Sequence, residues 1–197
     1  MPLKVLQDAY GLKRVAYTTY QAVSGSGMKG KKDLAEGVNG KAPEAYPHPI
    51  YNNVLPHIDV FLENGYTKEE QKMIDETRKI LNAPDLKVTA TCARVPVQDS
   101  HSVEIDVTLD KETTAEDIKA LFDQDDRVVL VDNPENNEYP MAINSTNKDE
   151  VFVGRIRRDD SLENTFHVWC TSDNLLKGAA LNAVQVLEQV MRLKGAN

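Results

Sequence analysis

The sequence predicts an α+β fold, a mixed β-sheet with helices on one face. Three observations predict it. Short segments rich in β-branched or alternating apolar residues recur along the chain and are typical of strands. Amphipathic helical patterns separate several of these segments. Many of the segments are joined by long connections rather than by tight turns. The 197 residues are 41% hydrophobic and 27% charged, which is ordinary for a globular domain.

The first half of the chain supports three helices and two strands. A glycine ends the first helix, a Ser-Gly-Ser-Gly turn ends the first strand, and Thr67 with Glu70 forms a capping box before the third helix. In chain order we expect a helix over 3–10, a strand over 13–23, a short polar helix over 31–36, an ordered loop over 43–56, a helix over 68–81 and a strand over 86–97. Pro96 marks an edge, a bulge or the end of that strand.

The second half alternates strands with two further helices. We expect a strand over 102–109, a capped helix over 114–122, strands over 128–131, 151–156 and 166–171, and a long helix over 175–193. This last helix is apolar around much of its circumference, which is typical of a helix buried on more than one face. The rest of the chain offers too little material to cover it.

Composition and charge exclude several functions. The formal net charge of −8 disfavours binding to nucleic acid or to anionic membranes, and no stretch is long and apolar enough to span a bilayer. The N-terminus lacks the features of a signal peptide. Two cysteines far apart in sequence, Cys92 and Cys170, indicate reduced thiols in a cytoplasmic protein rather than a disulfide scaffold.

Arg94 and His101 are the first candidates for chemistry. A turn after the strand could bring them together, giving a planar fork for a carboxylate beside a group that transfers protons. The alternative is a surface arginine and a histidine with structural hydrogen bonds. Four scattered histidines give no metal-binding spacing, and Cys92 lies in an apolar strand, where we interpret it as structural.

Two weaker groups of candidate residues precede this pair in the sequence. Gln21 precedes the turn at Ser24 and Gly25, where backbone N–H groups could cradle an anion, although a plain loop explains the turn equally well. Glu69 and Lys72 lie three residues apart on one helix. They could face one site or form a solvated pair.

Five segments taken in order resemble bacterial aspartate-semialdehyde dehydrogenases. They lie at 19–27, at 56–59 with Glu69 to Lys72, at 90–97 leading to His101, at 151–157 and at 173–183. The sequence departs from the family's usual residues at Ser26, Ser100, Cys170 and Ser172, and none of these changes removes a functional side chain.

The resemblance implies an enzyme that reduces aspartyl phosphate to aspartate semialdehyde with NADPH, through an acyl group on a cysteine thiolate. It also implies a role for each matching residue. His101 would be the acid/base, Gln21 would orient the acyl group, Arg94 would bind the substrate carboxylate, Glu69 its amine and Lys72 the phosphate, while Ser24, Gly25 and Asn174 would contact the nicotinamide.

The resemblance further implies a division of the chain. Residues 1–12 would be the remnant of the helix that follows the catalytic cysteine, 13–173 the substrate-binding and homodimerisation domain, and 174–197 a helix that returns to the nucleotide-binding domain. That domain and the nucleophilic cysteine have no counterpart here. We therefore expect part of an enzyme that is inactive alone, and whose NADP site requires the nucleotide-binding domain in the same chain or in a separate one. The alternative is an inactive dimerisation module or a truncated fragment.

Overall fold

The computed structural model describes residues 1–193 and 195. Lys194, Ala196 and Asn197, which close the expected C-terminal segment 174–197, lie outside the described residues.

Six strands form one mixed sheet in the order β2-β1-β3-β6-β5-β4. The two pairs β1–β2 and β4–β5 are parallel and the other neighbours are antiparallel. The strands are β1 Leu12–Gln21, β2 Lys87–Arg94, β3 His101–Leu109, β4 Val129–Leu130, β5 Val151–Arg158 and β6 Thr165–Ser172. The mixed sheet predicted from the sequence is confirmed.

The described residues form six α-helices beside the sheet: α1 Pro2–Tyr10, α2 Gly27–Gly37, α3 Lys68–Ile80, α4 Ala115–Asp123, α5 Ala142–Ser145 and α6 Leu181–Leu193. Helices α1, α3 and α4 pack on one face of the sheet. Leu6 of α1 and Phe122 of α4 are fully buried there against Val107 and Phe166 of the central strands. Burial of these side chains is the main source of the domain's stability.

The boundaries differ most from the sequence-based expectations in three places. Strand β1 ends at Gln21, and a 3-10 turn at Val23–Ser26 leads into α2, which begins at Gly27 rather than at residue 31. Strand β2 ends at Arg94, two residues before a proline that has no N–H to donate. The terminal helix starts with a π-helical turn at Leu176–Ala180 instead of running as one α-helix from 175.

Helix α6 leaves apolar side chains uncovered in the described structure. Leu193 is 78% exposed, and Val186 and Leu187 are more than half exposed. Every residue of α6 whose side chain the structure describes is exposed, so the burial on more than one face that the sequence predicts is not present among the described residues. Among the described helices, none combines the length and the apolar character needed to cross a membrane.

The sheet surface opposite α1, α3 and α4 carries mainly polar and aromatic side chains. We call it the open face and define it by Thr18, Tyr20, Glu104, His167 and Trp169, which alternate with the core residues of β1, β3 and β6. The rings of Tyr20 and Trp169 lie 5.4 Å apart, and His167 Nδ1 lies 2.7 Å from Glu104 Oε1.

Candidate active site

Three neighbouring strands, β1, β2 and β3, have one end each on the same side of the sheet, and these ends carry the first three site residues. Gln21 ends β1 and is paired in register with Arg94, which ends the parallel strand β2. His101 begins the antiparallel strand β3, beside the end of β1. Because side chains alternate along a strand, all three point to the helix-bearing face. The predicted proximity of Arg94 and His101 is therefore present in the structure.

The first turn of α3 adds two charged side chains. Gln21 Nε2 donates a 3.3 Å hydrogen bond to Glu69 Oε1, and Lys72 Nζ lies 3.4 Å from Glu69 Oε2. This turn is fixed by Glu70, which accepts from the Thr67 N–H at 2.7 Å and from the Cys92 N–H of β2 at 2.9 Å. One buried carboxylate thus caps the helix and attaches it to the edge strand.

Ser24, Gly25 and Asn174 form the other wall. Asn174 Oδ1 accepts from Ser24 Oγ at 3.1 Å and from the Ser100 N–H at 3.0 Å, which leaves the amide NH₂ to donate. A Cβ at Gly25 would lie 3.0 Å from Arg94 Nη1 and 3.6 Å from His101 Nε2. Glycine at this position therefore keeps the space in front of both side chains open.

His101 is held as a neutral imidazole. Burial, followed by the nearby charge of Arg94, lowers the pKa of His101 from 6.5 to about 4. Its Nδ1 accepts from the Ala22 N–H at 3.1 Å, so the neutral ring carries its proton on Nε2. This nitrogen lies beside Gly25, where its N–H can donate a hydrogen bond to a bound molecule.

Arg94 is a buried cation, with only 6% of the residue exposed. Its Nη1 donates to the Ala22 carbonyl at 2.7 Å, whereas Nε is buried without a hydrogen-bond partner among the described residues. Burial lowers the pKa of the guanidinium, but an arginine remains charged near neutral pH. A desolvated cation of this kind attracts a carboxylate more strongly than a surface arginine does.

A cleft of about 620 Å³ joins all of these groups. Its lining includes the eight residues singled out in the sequence: Gln21, Ser24, Gly25, Glu69, Lys72, Arg94, His101 and Asn174. A volume of this size is within the range of small-molecule sites, about 300–1,000 Å³.

Asp59 also lines the cleft, and the sequence did not single it out as a site residue. It lies in the 56–59 segment and has a left-handed backbone with φ of 69°. Aspartate tolerates that conformation better than most residues, but a single aspartate in a loop is too weak a signal for prediction.

Neither cysteine has the surroundings of a nucleophile. Burial raises the pKa of both Cys92 and Cys170 to about 11, so both thiols are protonated at neutral pH. Cys92 Sγ lies 3.5 Å from Met73 Sδ in the core beside α3. This environment favours the structural interpretation of Cys92.

One group of possible metal ligands lies away from the cleft. Ligand atoms of Asp106, Asp159 and His167 lie within 4.8 Å of one another. Asp106 already pairs with Arg14, and Asp159 accepts two hydrogen bonds from Ser161. These contacts explain the cluster without an ion.

Comparison with known proteins places the chain in a family. The model of the semialdehyde dehydrogenase dimerisation domain matches residues 3–177. The aspartate-semialdehyde dehydrogenase of Aquifex aeolicus is 47% identical over 197 residues, covering 96% of this chain and 58% of that protein. The Bacillus subtilis protein of the same name is 45% identical, with 97% and 59% covered. The chain thus spans somewhat over half the length of these relatives.

The comparison with solved structures indicates the same family. The chain resembles aspartate semialdehyde dehydrogenase II of Vibrio cholerae, complexed with ASA, with a TM-score of 0.91 and 39% identity, over 97% of this chain and 58% of that one. The Candida albicans enzyme with NADP gives a TM-score of 0.72 at 25% identity, over 100% and 55%. These comparisons confirm the resemblance drawn from the five sequence segments. The chain therefore belongs to the semialdehyde dehydrogenase family, whose dimerisation domain it contains.

Proposed function

We propose that this chain is the substrate-binding and dimerisation part of an aspartate-semialdehyde dehydrogenase. The complete enzyme would reduce L-aspartyl 4-phosphate to L-aspartate 4-semialdehyde with NADPH and release phosphate, a step in the synthesis of lysine, methionine and threonine. The observation that supports this most is the gathering of eight residues, each with a matching role in the family, around one cleft.

The charges of the cleft suit the substrate. Aspartyl phosphate carries a carboxylate, an ammonium and a phosphate, and the cleft offers Arg94, Glu69 and Lys72 as a partner for each. The guanidinium of Arg94 provides a planar fork for the carboxylate. Lys72 is more than half exposed, which suits a phosphate that must enter and leave.

Gln21 and His101 are positioned for the acyl-transfer step. In the proposed reaction a cysteine thiolate attacks the acyl carbon, the bond to the phosphate oxygen breaks, and phosphate leaves. His101, which matches the acid/base histidine of the family, would face the reacting groups with Nε2, and Gln21, held by Glu69, would orient the acyl oxygen. The nucleophile must be a thiol other than Cys92 and Cys170, because both are buried and protonated.

The Ser24–Asn174 wall fits the nicotinamide end of NADP. Gly25 leaves room for a ring, and the Asn174 amide is fixed by its oxygen with its NH₂ ready for a carboxamide. NADPH supplies the hydride when it is bound. The remaining contacts to the dinucleotide would come from the nucleotide-binding part of the enzyme, which would also cover α6.

We also propose that the open face is the homodimer interface. The helices α1, α3 and α4 leave this surface uncovered, and it carries the Tyr20 and Trp169 rings, which contact each other at a tilt of 41°. Aromatic side chains are common in interfaces. The match to a dimerisation-domain model supports the same assignment.

Substitution of Arg94 tests the substrate assignment. We define a fusion enzyme in which this chain follows the N-terminal part of its Bacillus subtilis relative. In that enzyme Arg94→Lys should lower kcat/KM for aspartate semialdehyde by about 100-fold, because lysine cannot hold a carboxylate in a fixed plane. Steady-state assays measure the effect, with the exposed Lys79→Arg as control. An unchanged kcat/KM for Arg94→Lys would rule out the carboxylate role.

A further inference from the structure

The guanidinium of Arg94 has few direct restraints. Its backbone is fixed, since Arg94 and Leu55 exchange two hydrogen bonds of 2.9 and 3.0 Å. Its side chain makes one described hydrogen bond, from Nη1 to the Ala22 carbonyl. Nε is buried without a hydrogen-bond partner among the described residues, so hydrogen bonds alone do not fix the plane of the guanidinium.

The aromatic ring of Tyr46 provides a further restraint. The guanidinium carbon of Arg94 lies 5.9 Å from the centroid of the Tyr46 ring, within the range of a cation–π interaction. The contact is with a buried cation, where such an interaction is stronger than at an exposed site.

Helix α2 fixes the position of Tyr46. The buried carboxylate of Asp33 accepts hydrogen bonds from the Glu44 and Ala45 N–H groups at 2.8 and 2.7 Å, directly before Tyr46 in the chain. One turn earlier, a Cβ at Gly30 would lie 2.6 Å from the Tyr46 hydroxyl oxygen. Residues of α2 thus both hold the loop and leave the space that the tyrosine occupies.

We propose that Tyr46 is a positioning residue for the substrate carboxylate, acting through the face of its ring on the guanidinium of Arg94. This inference rests on the proposed function, since it assumes that Arg94 binds a carboxylate. The residue acts on substrate binding more than on the chemical step, so its loss raises KM more than it lowers kcat. The hydroxyl group contributes little, because its oxygen is buried without a partner.

The test changes the electron density of the ring while keeping its shape. In the fusion enzyme, Tyr46→Phe should leave the KM for aspartate semialdehyde within about twofold of the parent, and pentafluorophenylalanine at position 46 should raise it about tenfold, because fluorination removes the attraction for a cation. The KM for phosphate and the melting temperature should not change. The same pair of substitutions at Tyr51, 45% exposed on the same loop, should have no effect.

The outcomes separate this inference from the proposed function. Equal KM values for Phe and pentafluorophenylalanine at position 46, together with a large effect of Arg94→Lys, would overturn the role of Tyr46 and leave the proposed function intact. A parallel rise in the KM for phosphate or a fall in the melting temperature would show a merely structural role and also overturn it. A folded fusion enzyme without activity would contradict both.

Discussion

The protonation state of His101 is set by its surroundings rather than by its own chemistry. It is buried beside the Arg94 cation and accepts the Ala22 N–H, and each of these contacts favours a neutral ring. A neutral histidine with its proton on Nε2 can donate a hydrogen bond from that nitrogen to a bound molecule at neutral pH.

The lowered pKa predicts how stability depends on pH. The folded-state pKa of about 4 lies below the unfolded value of 6.5, so the unfolded chain binds more protons between these values. The contribution of His101 to the free energy of unfolding is fully present above pH 6.5 and is lost as the pH falls towards 4. In His101→Asn, which keeps an acceptor for Ala22, the decline should be shallower. The free energy of unfolding is measured by urea denaturation at a series of pH values for both proteins. An equal decline in the two proteins would show that the pKa of His101 is not lowered.

The sequence could identify individual site residues only where a strand ended or a motif was local. Gln21, Arg94 and His101 were predictable as strand-terminal polar residues, although their convergence depends on the parallel pairing of β1 with β2. Tyr46 and Asp59 were not predictable, because they reach the site from irregular loops whose paths depend on tertiary contacts such as the Asp33 hydrogen bonds.

At the scale of elements, the cleft depends on how α3 is attached to the sheet. Glu70 is 7% exposed and accepts N–H groups from both the start of α3 and the edge strand β2. Through this attachment Glu69 and Lys72 reach the cleft. Helix α2 has a similar role on the other side, where Lys31 Nζ lies 2.6 Å from Asp99 Oδ1 in the loop before His101.

Removing the Glu70 carboxylate should therefore destabilise the domain. In Glu70→Ala two buried N–H groups lose their acceptor, and the free energy of unfolding should fall by about 2–4 kcal/mol. Chemical denaturation measures the change, and Glu76→Ala on the exposed side of the same helix is the matched control. A loss of less than about 0.5 kcal/mol, typical of a surface substitution, would contradict this role for Glu70.

Elements with a strong periodic or capping signal were predicted well. Helices α3 and α4 begin directly after the expected caps Thr67 and Thr114. The four-residue α5 is too short to show a helical period, and the π-helical turn before α6 has no distinct sequence signal. These two elements could not be predicted from the sequence, the first because it is short and the second because a π-helical turn has no distinctive residue pattern.

At the scale of the whole molecule, the open face predicts a dimer. A large charged side chain at its centre should prevent two copies from packing together, so Thr18→Arg should sediment as a monomer at micromolar concentration while the unmodified chain sediments as a dimer. Glu116→Arg on α4, on the helix-bearing side, should remain dimeric. If Thr18→Arg remained dimeric, the interface would lie elsewhere on the chain. If the unmodified chain were a monomer, the proposed dimer would be ruled out.

We propose that this chain supplies the substrate site of the enzyme and that the nucleophile lies in another part of it. The most direct measurement compares NADP⁺ reduction by the chain alone, by the chain mixed with the N-terminal part of its Bacillus subtilis relative, and by the fusion enzyme, all with aspartate semialdehyde and phosphate. We predict no activity for the chain alone and activity for the fusion, with the mixture showing whether the two parts associate without a covalent link. Activity of the chain alone, or a folded fusion enzyme that reduces no NADP⁺, would contradict the account.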